Sequence, residues 1–316
     1  MSEVKTPMRA KISKSNVTLE NVIRSEDRNF RKLISLLAKL GLVISRQIPQ
    51  HLGMAQTSNV YGERQEKLDV WANNLLATKL LKSGLVRQVA SEELKQVLSA
   101  KIGEFTVAFD PIDGSSNLES NNALGTIVGI YQDESLPAKG RDLLCSMYFM
   151  YGPYLELVLA LKDEVRLFVA NGKGEAPERY VSDGEVLQLP KEAEVYGVGG
   201  MRNKWTPRVR DFVELLENRG LKLRYSGSFT GDVNQVLIKG GFFAYPELID
   251  APDGKFRLQF ESNPVSFIIE KAGGRATAGM QRILDVEPNG IAQRVPTYLG
   301  NAELIAEFED SVRSKT

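Results

Sequence analysis

The chain has 316 residues, with 40 basic residues against 40 acidic ones, and its 42% hydrophobic and 25% charged fractions are ordinary for a globular protein. The neutral balance offers no field to attract nucleic acid or an anionic membrane, so neither is expected as a partner. No apolar run approaches the roughly 18 residues of a membrane span, and the opening stretch 1–16 lacks the apolar core of a signal peptide.

In chain order, Phe30, Leu33, Ile34, Leu37, Leu40 and Ile44 recur at helical spacing, which predicts helix over most of Thr18 to Gln47. A second helix is expected from Gln65 to Lys82, stopped by Ser83-Gly84. From Phe105 the pattern turns to strands, at 105–109, 125–131, 146–150, 154–161 and 165–169, short apolar runs punctuated by Gly, Pro and Asp. The polar, Gly-rich stretch 171–190 is the expected boundary, dividing the chain into 1–186 and 187–316. Beyond it, helices are expected over 207–218, 231–238, 264–272 and 301–312, with strands at 241–245 and 256–260. Helices and strands interleave without a regular βαβ period, which points to a layered α/β sandwich with mixed sheets.

The chemistry is bounded by scarcity. His51 is the only histidine and Cys145 the only cysteine, so multi-histidine zinc sites and an intrachain disulfide are excluded, and Ser-His-Asp chemistry is disfavoured. His51 sits in a loop-like segment and reads as a packing residue; Cys145, in an apolar run, reads as a core thiol. A lone thiol makes a reducing compartment the default. What remains is carboxylates, hydroxyls, Lys, Arg and Tyr, a set suited to Mg²⁺ or Mn²⁺.

The most informative segment is Asp110-Pro111-Ile112-Asp113-Gly114-Ser115-Ser116-Asn117, at the end of the apolar run Phe105–Phe109. Two carboxylates leave a buried strand and enter a Gly-Ser-Ser turn, placing hard oxygen ligands beside backbone N–H groups able to hold a phosphate. Alone, such a pattern is commonly a solvated turn. Glu92-Glu93, Asp69 and Glu261 supply further acids, and Glu261 follows an apolar stretch where an unpaired carboxylate is costly. Together they point to metal-assisted phosphate-ester hydrolysis.

These residues resemble the fructose-1,6-/sedoheptulose-1,7-bisphosphatase family, within the wider lithium-sensitive, inositol-monophosphatase-like superfamily. The resemblance runs from about Val22 to Glu309, through 110–117, Ser91-Glu92-Glu93, Lys67-Leu68-Asp69-Val70, Arg224-Tyr225, Asp232-Val233 and Gly254-Lys255-Phe256-Arg257-Leu258. It implies an α-β-α-β-α sandwich with two mixed sheets. It implies two or three Mg²⁺ (or Mn²⁺) ions per site on Glu92, Asp110, Asp113, Glu261 and the Ile112 carbonyl. Glu93, with Glu63 and Asp69, is expected to position or deprotonate the attacking water. Gly114, Ser115 and Ser116 are expected at the 1-phosphate, and Tyr225, Tyr245, Lys255 and Arg257 along the sugar and its distal phosphate. Arg224 is expected to cross into a neighbouring subunit of a homodimer or homotetramer.

Departures within the family bear on the substrate. Arg24-Ser25-Glu26-Asp27 replaces the Gly-Thr-Gly-type loop of the AMP site, and Glu104-Phe105 replaces its Lys-Tyr pair, so AMP inhibition is not expected. Gly199-Gly200-Met201-Arg202 looks sedoheptulose-like, as do Gly140-Arg141-Asp142, Met150-Tyr151-Gly152-Pro153 and Asp232-Val233-Asn234-Gln235, whereas Gly241–Pro246 looks fructose-like. The balance favours sedoheptulose 1,7-bisphosphate, with Arg202 as a specificity residue. The alternatives are a fructose-1,6-bisphosphatase or dual enzyme and, from another class, an inactive sugar-phosphate sensor. A cytoplasmic location is expected; the ending Ser314-Lys315-Thr316 resembles a peroxisomal or glycosomal signal with the wrong last residue.

Overall fold

The computed structural model describes residues 17–58, 64–171 and 179–313. Its layers alternate as the resemblance implies. A nine-stranded sheet runs in the order 17–18, 179–182, 165–171, 155–160, 143–151, 124–132, 105–113, 86–91 and 98–99. Its strands are antiparallel except that Val86–Ser91 lies parallel to Phe105–Asp113. A five-stranded sheet runs 222–223, 195–198, 241–245, 297–301 and 274–277, parallel across its first three strands and antiparallel across the rest.

Two helices cover the outer face of the large sheet. Arg28–Gln47 buries Phe30, Leu33, Ile34, Leu37, Leu40 and Ile44, and Lys67–Lys82 buries Leu68, Ala72, Leu76 and Leu80. Between the sheets lie Phe229–Lys239 and Asn263–Lys271, whose apolar residues join strands of both sheets in one core. Pro207–Asn218 and Ala302–Arg313 close the far face, packing Phe212 and Phe308 against Phe242. The result is an α-β-α-β-α sandwich.

Several expectations change in detail. The first predicted helix is broken: Leu19–Val22 and the 3-10 turn Ile23–Ser25 end at an extended Glu26. A new helix then starts because Asp27 accepts the amides of Asn29 and Phe30 at 2.7 and 3.2 Å. The expected strand over 256–260 is instead an extended stretch running into a π-helical turn, Leu258–Ser262, in which Ser262 N–H reaches the Arg257 carbonyl five residues back at 3.1 Å. The polar stretch after residue 171 is not all linker. Arg179–Ser182 pairs back onto Val165–Asn171, and only from Val195 does the chain enter the second sheet.

Cys145 is fully buried and its thiol is pushed up by desolvation, so it is inert. His51 stacks on Trp71 at 4.3 Å.

Candidate active site

The parallel pairing of Val86–Ser91 with Phe105–Asp113 brings two chain segments to the same sheet edge. Ser91 lies opposite Phe109, and Glu92 N–H donates to the Phe109 carbonyl at 3.2 Å, so Glu92 emerges beside Asp110. The π-helical turn delivers Glu261 from the other side. One carboxylate oxygen from each of Glu92, Asp110 and Glu261 falls within 4.8 Å of the others. Burial, then the charge of Glu92, pushes both Asp110 and Glu261 well above the usual carboxylate range. Arg257 lies against this trio. Its Nε is 3.3 Å from Glu92 Oε1, and its backbone N–H donates to Glu261 Oε2 at 2.7 Å.

The strand's end is shaped by its own sequence. Pro111 has no N–H for the ladder, and the register with the next strand shifts between Asp110 and Asp113. Ile112 N–H turns back to Asp110 Oδ1 at 3.0 Å, while the Thr126 hydroxyl takes the Pro111 carbonyl at 2.7 Å. Gly114 follows at φ +74°, where a Cβ would stand 2.8 Å from Ser228 Cβ, so both conformation and space call for glycine. Ser115–Asn117 then form one 3-10 turn. Asn117 ties it to the entry of the following strand and to the second half through bonds from Nδ2 to the carbonyls of Ala123 and Ser226, at 3.0 and 2.9 Å respectively.

Asp113 stands beside the trio rather than in it. Its Oδ2 accepts the Ser228 hydroxyl, the Thr230 amide and the Thr230 hydroxyl, each at 2.7 Å, while Oδ1 accepts only the Phe229 amide at 2.9 Å. It thus anchors the N-terminus of Phe229–Lys239, where a negative charge is favoured. Oδ1, with a single accepted bond, is the oxygen better able to take a cation.

Asp69, at the start of Lys67–Lys82, accepts the Glu66 amide at 2.8 Å. Burial raises it to about 7; the Glu66 amide and the Ser115 hydroxyl oppose that rise, and the charge of Glu93 adds to it. Glu93 accepts a bond from the Gln65 side-chain amide. Glu63 lies outside the described residues.

All of these acids except Glu63 line one cavity of about 220 Å³, together with Ile112, Gly114, Ser115, Ser116, Tyr225, Tyr245, Lys255 and Arg257. Lys255 Nζ stands 5.1 Å from the centre of the Tyr245 ring. Tyr225 is half exposed, and burial pushes its phenol up to about 12, which keeps it a donor at neutral pH.

Arg224 and Arg202 do not line this cavity. Arg224 is exposed and donates to the Leu223 carbonyl at 2.8 Å; Arg202 lies over the Trp205 ring and 3.8 Å from Glu217. The bulk removed at Gly199 is not free space either, because a Cβ there would meet Tyr245 Cδ2 at 2.3 Å.

Two charged residues of the cavity had no role from the sequence: Asp232, which only carried the resemblance, and Arg294. Asp232 Oδ1 accepts the Ser226 amide at 2.6 Å, and burial raises the group to about 7. Nothing in Gln293-Arg294-Val295-Pro296 sets that arginine apart from the chain's many others.

Buried acids converging on a Gly-Ser-Ser turn at the edge of a five-layer sandwich have the make-up of a metal-assisted phosphatase. Sequence comparison narrows the class. The profile for the fructose-1-6-bisphosphatase N-terminal domain matches residues 11–175, and that for its C-terminal domain matches residues 189–313. The class 1 fructose-1,6-bisphosphatase of Trichlorobacter lovleyi is 45% identical over 260 residues, 81% of each chain. That of Geobacter sulfurreducens is 41% identical over 301 residues, 93% of this chain and 95% of its own. The holo-form crystal structure of Leishmania major fructose-1,6-bisphosphatase superposes with a TM-score of 0.86 at 30% identity, covering 94% of this chain and 99% of that one. The chain therefore belongs to the fructose-1,6-bisphosphatase family, a family of sugar-bisphosphate hydrolases.

Among the described residues, no helix is long and apolar enough to cross a membrane. The ending Ser314-Lys315-Thr316 lies outside them.

Proposed function

We propose that this chain hydrolyses the 1-phosphate of fructose 1,6-bisphosphate in a reaction that needs a divalent cation. The convergence of Glu92, Asp110 and Glu261 beside the Gly114–Ser116 turn carries the reaction type. The choice of sugar is supported by the names of the curated relatives and of the solved structure. The expectation of sedoheptulose 1,7-bisphosphate drew its specificity residue from Gly199–Arg202. Tyr245 fills the space beside Gly199 and Arg202 lies on Trp205, so that loop no longer argues for a longer pocket.

The donor set fits a hard divalent ion. Three carboxylates present convergent oxygens, and the cavity lining contains neither sulfur nor imidazole. Glu92, Asp110 and Glu261 would hold two or three Mg²⁺ or Mn²⁺ ions, with Asp113 Oδ1 and the Ile112 carbonyl as further oxygens. Bound there, such ions neutralise phosphoryl oxygens and make water more acidic.

In this reading the amides of Gly114, Ser115 and Ser116 cradle the 1-phosphate and hold its phosphorus in line with the attacking water. Asp69 and Glu93 orient that water and take its proton, and a carboxylate held near 7 is matched to that task at neutral pH. Glu63 joins them on the resemblance. Tyr225, Tyr245 and Lys255 receive the sugar and its distal end, while Arg257 lies between that end and the acids. Arg224 reaches the distal phosphate of a neighbouring subunit, which makes a homodimer or homotetramer part of the function. A division between residues 186 and 187 and a cytoplasmic location complete the assignment. The acids named here all stand in the sequence, which favours an enzyme over an inactive sensor.

The test is phosphate release from fructose 1,6-bisphosphate and from sedoheptulose 1,7-bisphosphate, each with Mg²⁺ and with excess EDTA. Fructose 1,6-bisphosphate should have the higher kcat/KM, and EDTA should abolish both activities. Undiminished turnover in EDTA would remove the metal reading. A higher kcat/KM on the seven-carbon sugar would remove the choice of substrate and leave the reaction type standing.

A further inference from the structure

The resemblance assigns Arg257 to the distal phosphate, yet its side chain is turned towards the acids. The residue is 1% exposed, and its guanidinium stands beside Glu92. A buried guanidinium held against Glu92 offsets part of the acids' charge, and its field at a second phosphate is correspondingly weakened.

Antiparallel pairing sets another arginine opposite it. Leu258 N–H donates to the Gln293 carbonyl at 2.7 Å and Val295 N–H to the Phe256 carbonyl at 3.0 Å, which brings Arg257 and Arg294 into register. Residues directly opposite in such a pair project to the same side. Arg294 accordingly lines the same cavity as Arg257, but it is exposed where Arg257 is buried. Lys255, two residues before Arg257, lines the same cavity and is also exposed. The cavity thus holds buried carboxylates beside the Gly114–Ser116 turn and two exposed cations, Lys255 and Arg294, on the paired segments that carry Arg257. A guanidinium's planar fork suits the paired oxygens of a phosphate.

We propose that Arg294 binds the distal phosphate of the substrate from within its own subunit, together with Lys255, and so sets the preference for bisphosphates over monophosphates. This rests on the sugar-bisphosphatase reading and adds a binding residue to it.

The experiment compares the unmodified protein with Arg294→Ala and Arg294→Lys. In Arg294→Ala, the ratio of kcat/KM for fructose 1,6-bisphosphate to that for fructose 1-phosphate should fall about 10- to 100-fold, the span of one charge-assisted contact. Arg294→Lys should recover part of the ratio. Arg219→Ala removes an arginine paired with Glu307 on the surface and should leave the ratio as it was. Calorimetry with fructose 6-phosphate gives a readout free of turnover, in which Arg294→Ala should weaken binding by a similar factor. A ratio that stays constant in Arg294→Ala, or equal losses on both substrates, overturns the proposal. If the unmodified protein releases no phosphate, the enzymatic reading fails, and binding still decides the role of Arg294. Fructose 6-phosphate binding that depends on Arg294 keeps it; binding that is absent or indifferent to the substitution overturns it.

Discussion

The two ends of the cavity are built in opposite ways. At the acid end, Asp110, Asp113 and Glu261 are buried, and the backbone fixes each of them: a strand end, a proline-interrupted register and a π-helical turn. At the other end, Lys255 and Arg294 are exposed, and long side chains extend from the paired segments that place them. Carboxylates held so close repel one another, and only an over-determined backbone keeps them there. Exposed cations need no such support and can be exchanged at little cost to the fold. The reaction is therefore set by the sheets, and the choice of substrate by residues that those sheets leave free to vary.

The sharpest break of that contrast is at the acid end. Asp110→Asn removes a charge from the trio and should lower kcat by about 10³-fold or more. The same variant should bind Mn²⁺ more weakly by calorimetry while keeping the far-UV circular dichroism of the parent. Activity within tenfold of the parent would mean that the buried trio is not the reactive end.

Asp69→Asn comes next, with an expected loss of about 10²-fold in kcat/KM. In the parent, kcat/KM should rise as pH increases through about 7, because the carboxylate accepts a proton only once ionised. The stability effect has the opposite sign. Burial raises the folded-state value from its ordinary 3.8 to about 7, so in that interval the folded chain binds a proton that the unfolded chain has released. Stability from this group therefore falls as pH rises from about 4 to about 7, and the penalty persists above that range. Asp69→Asn removes the penalty. In EDTA at pH 8 the variant should be more stable than the parent by about 1–2 kcal/mol in urea unfolding, below the ceiling of about 4 kcal/mol that the full shift implies. A variant that is both inactive and less stable at pH 8 would indicate that Asp69 serves the helix start alone.

At the distal end the effects should be smaller and fall on KM. Arg224→Ala should raise KM for fructose 1,6-bisphosphate about 10- to 100-fold with little change in kcat. Mixing it with subunits inactivated at Asp110 should restore partial activity once exchange is demonstrated. No rescue would confine Arg224 to its own subunit.

The sequence made the acid end far more legible than the distal one. Asp110 and Asp113 announce themselves because an apolar strand runs straight into them, and the strand expected over 105–109, the Gly114 turn and the helices expected at 207–218 and 264–272 follow local patterns, although the strand itself continues to Asp113. Glu261 was found for a reason that proved wrong in part: it sits in a π-helical turn rather than at a strand end, and its cost of burial was the true signal. The strand Val86–Ser91 was missed because Arg87, Gln88 and Ser91 interrupt its apolar pattern, yet its parallel pairing is what carries Glu92 to Asp110. Arg294 was invisible for a deeper reason. Its place depends on pairing with a segment 37 residues earlier, since 294 − 257 = 37, and no local pattern encodes that register.

The gentlest test lies at Gly199, behind the Tyr245 ring of the distal wall. Its N–H donates to the Ala244 carbonyl at 2.8 Å and its carbonyl accepts the Trp205 indole at 2.8 Å, so the backbone there has little freedom to retreat. An added Cβ would stand 2.3 Å from Tyr245 Cδ2 and 2.4 Å from Cε2, which forces the ring to swing. That ring also packs edge-on against Phe256 at 5.1 Å and lies under Lys255, so the disturbance runs along the distal wall and away from the acids. Gly199→Ala should therefore cost about 1–2 kcal/mol of stability and raise KM for fructose 1,6-bisphosphate by about three- to tenfold, the factor that roughly 0.7–1.4 kcal/mol of lost binding gives. Mn²⁺ affinity should stay at the parental value, because Glu92, Asp110 and Glu261 are held by other segments. A weakened Mn²⁺ affinity in this variant would show that the two ends are mechanically joined and that the sheets do not insulate the reaction from the choice of sugar.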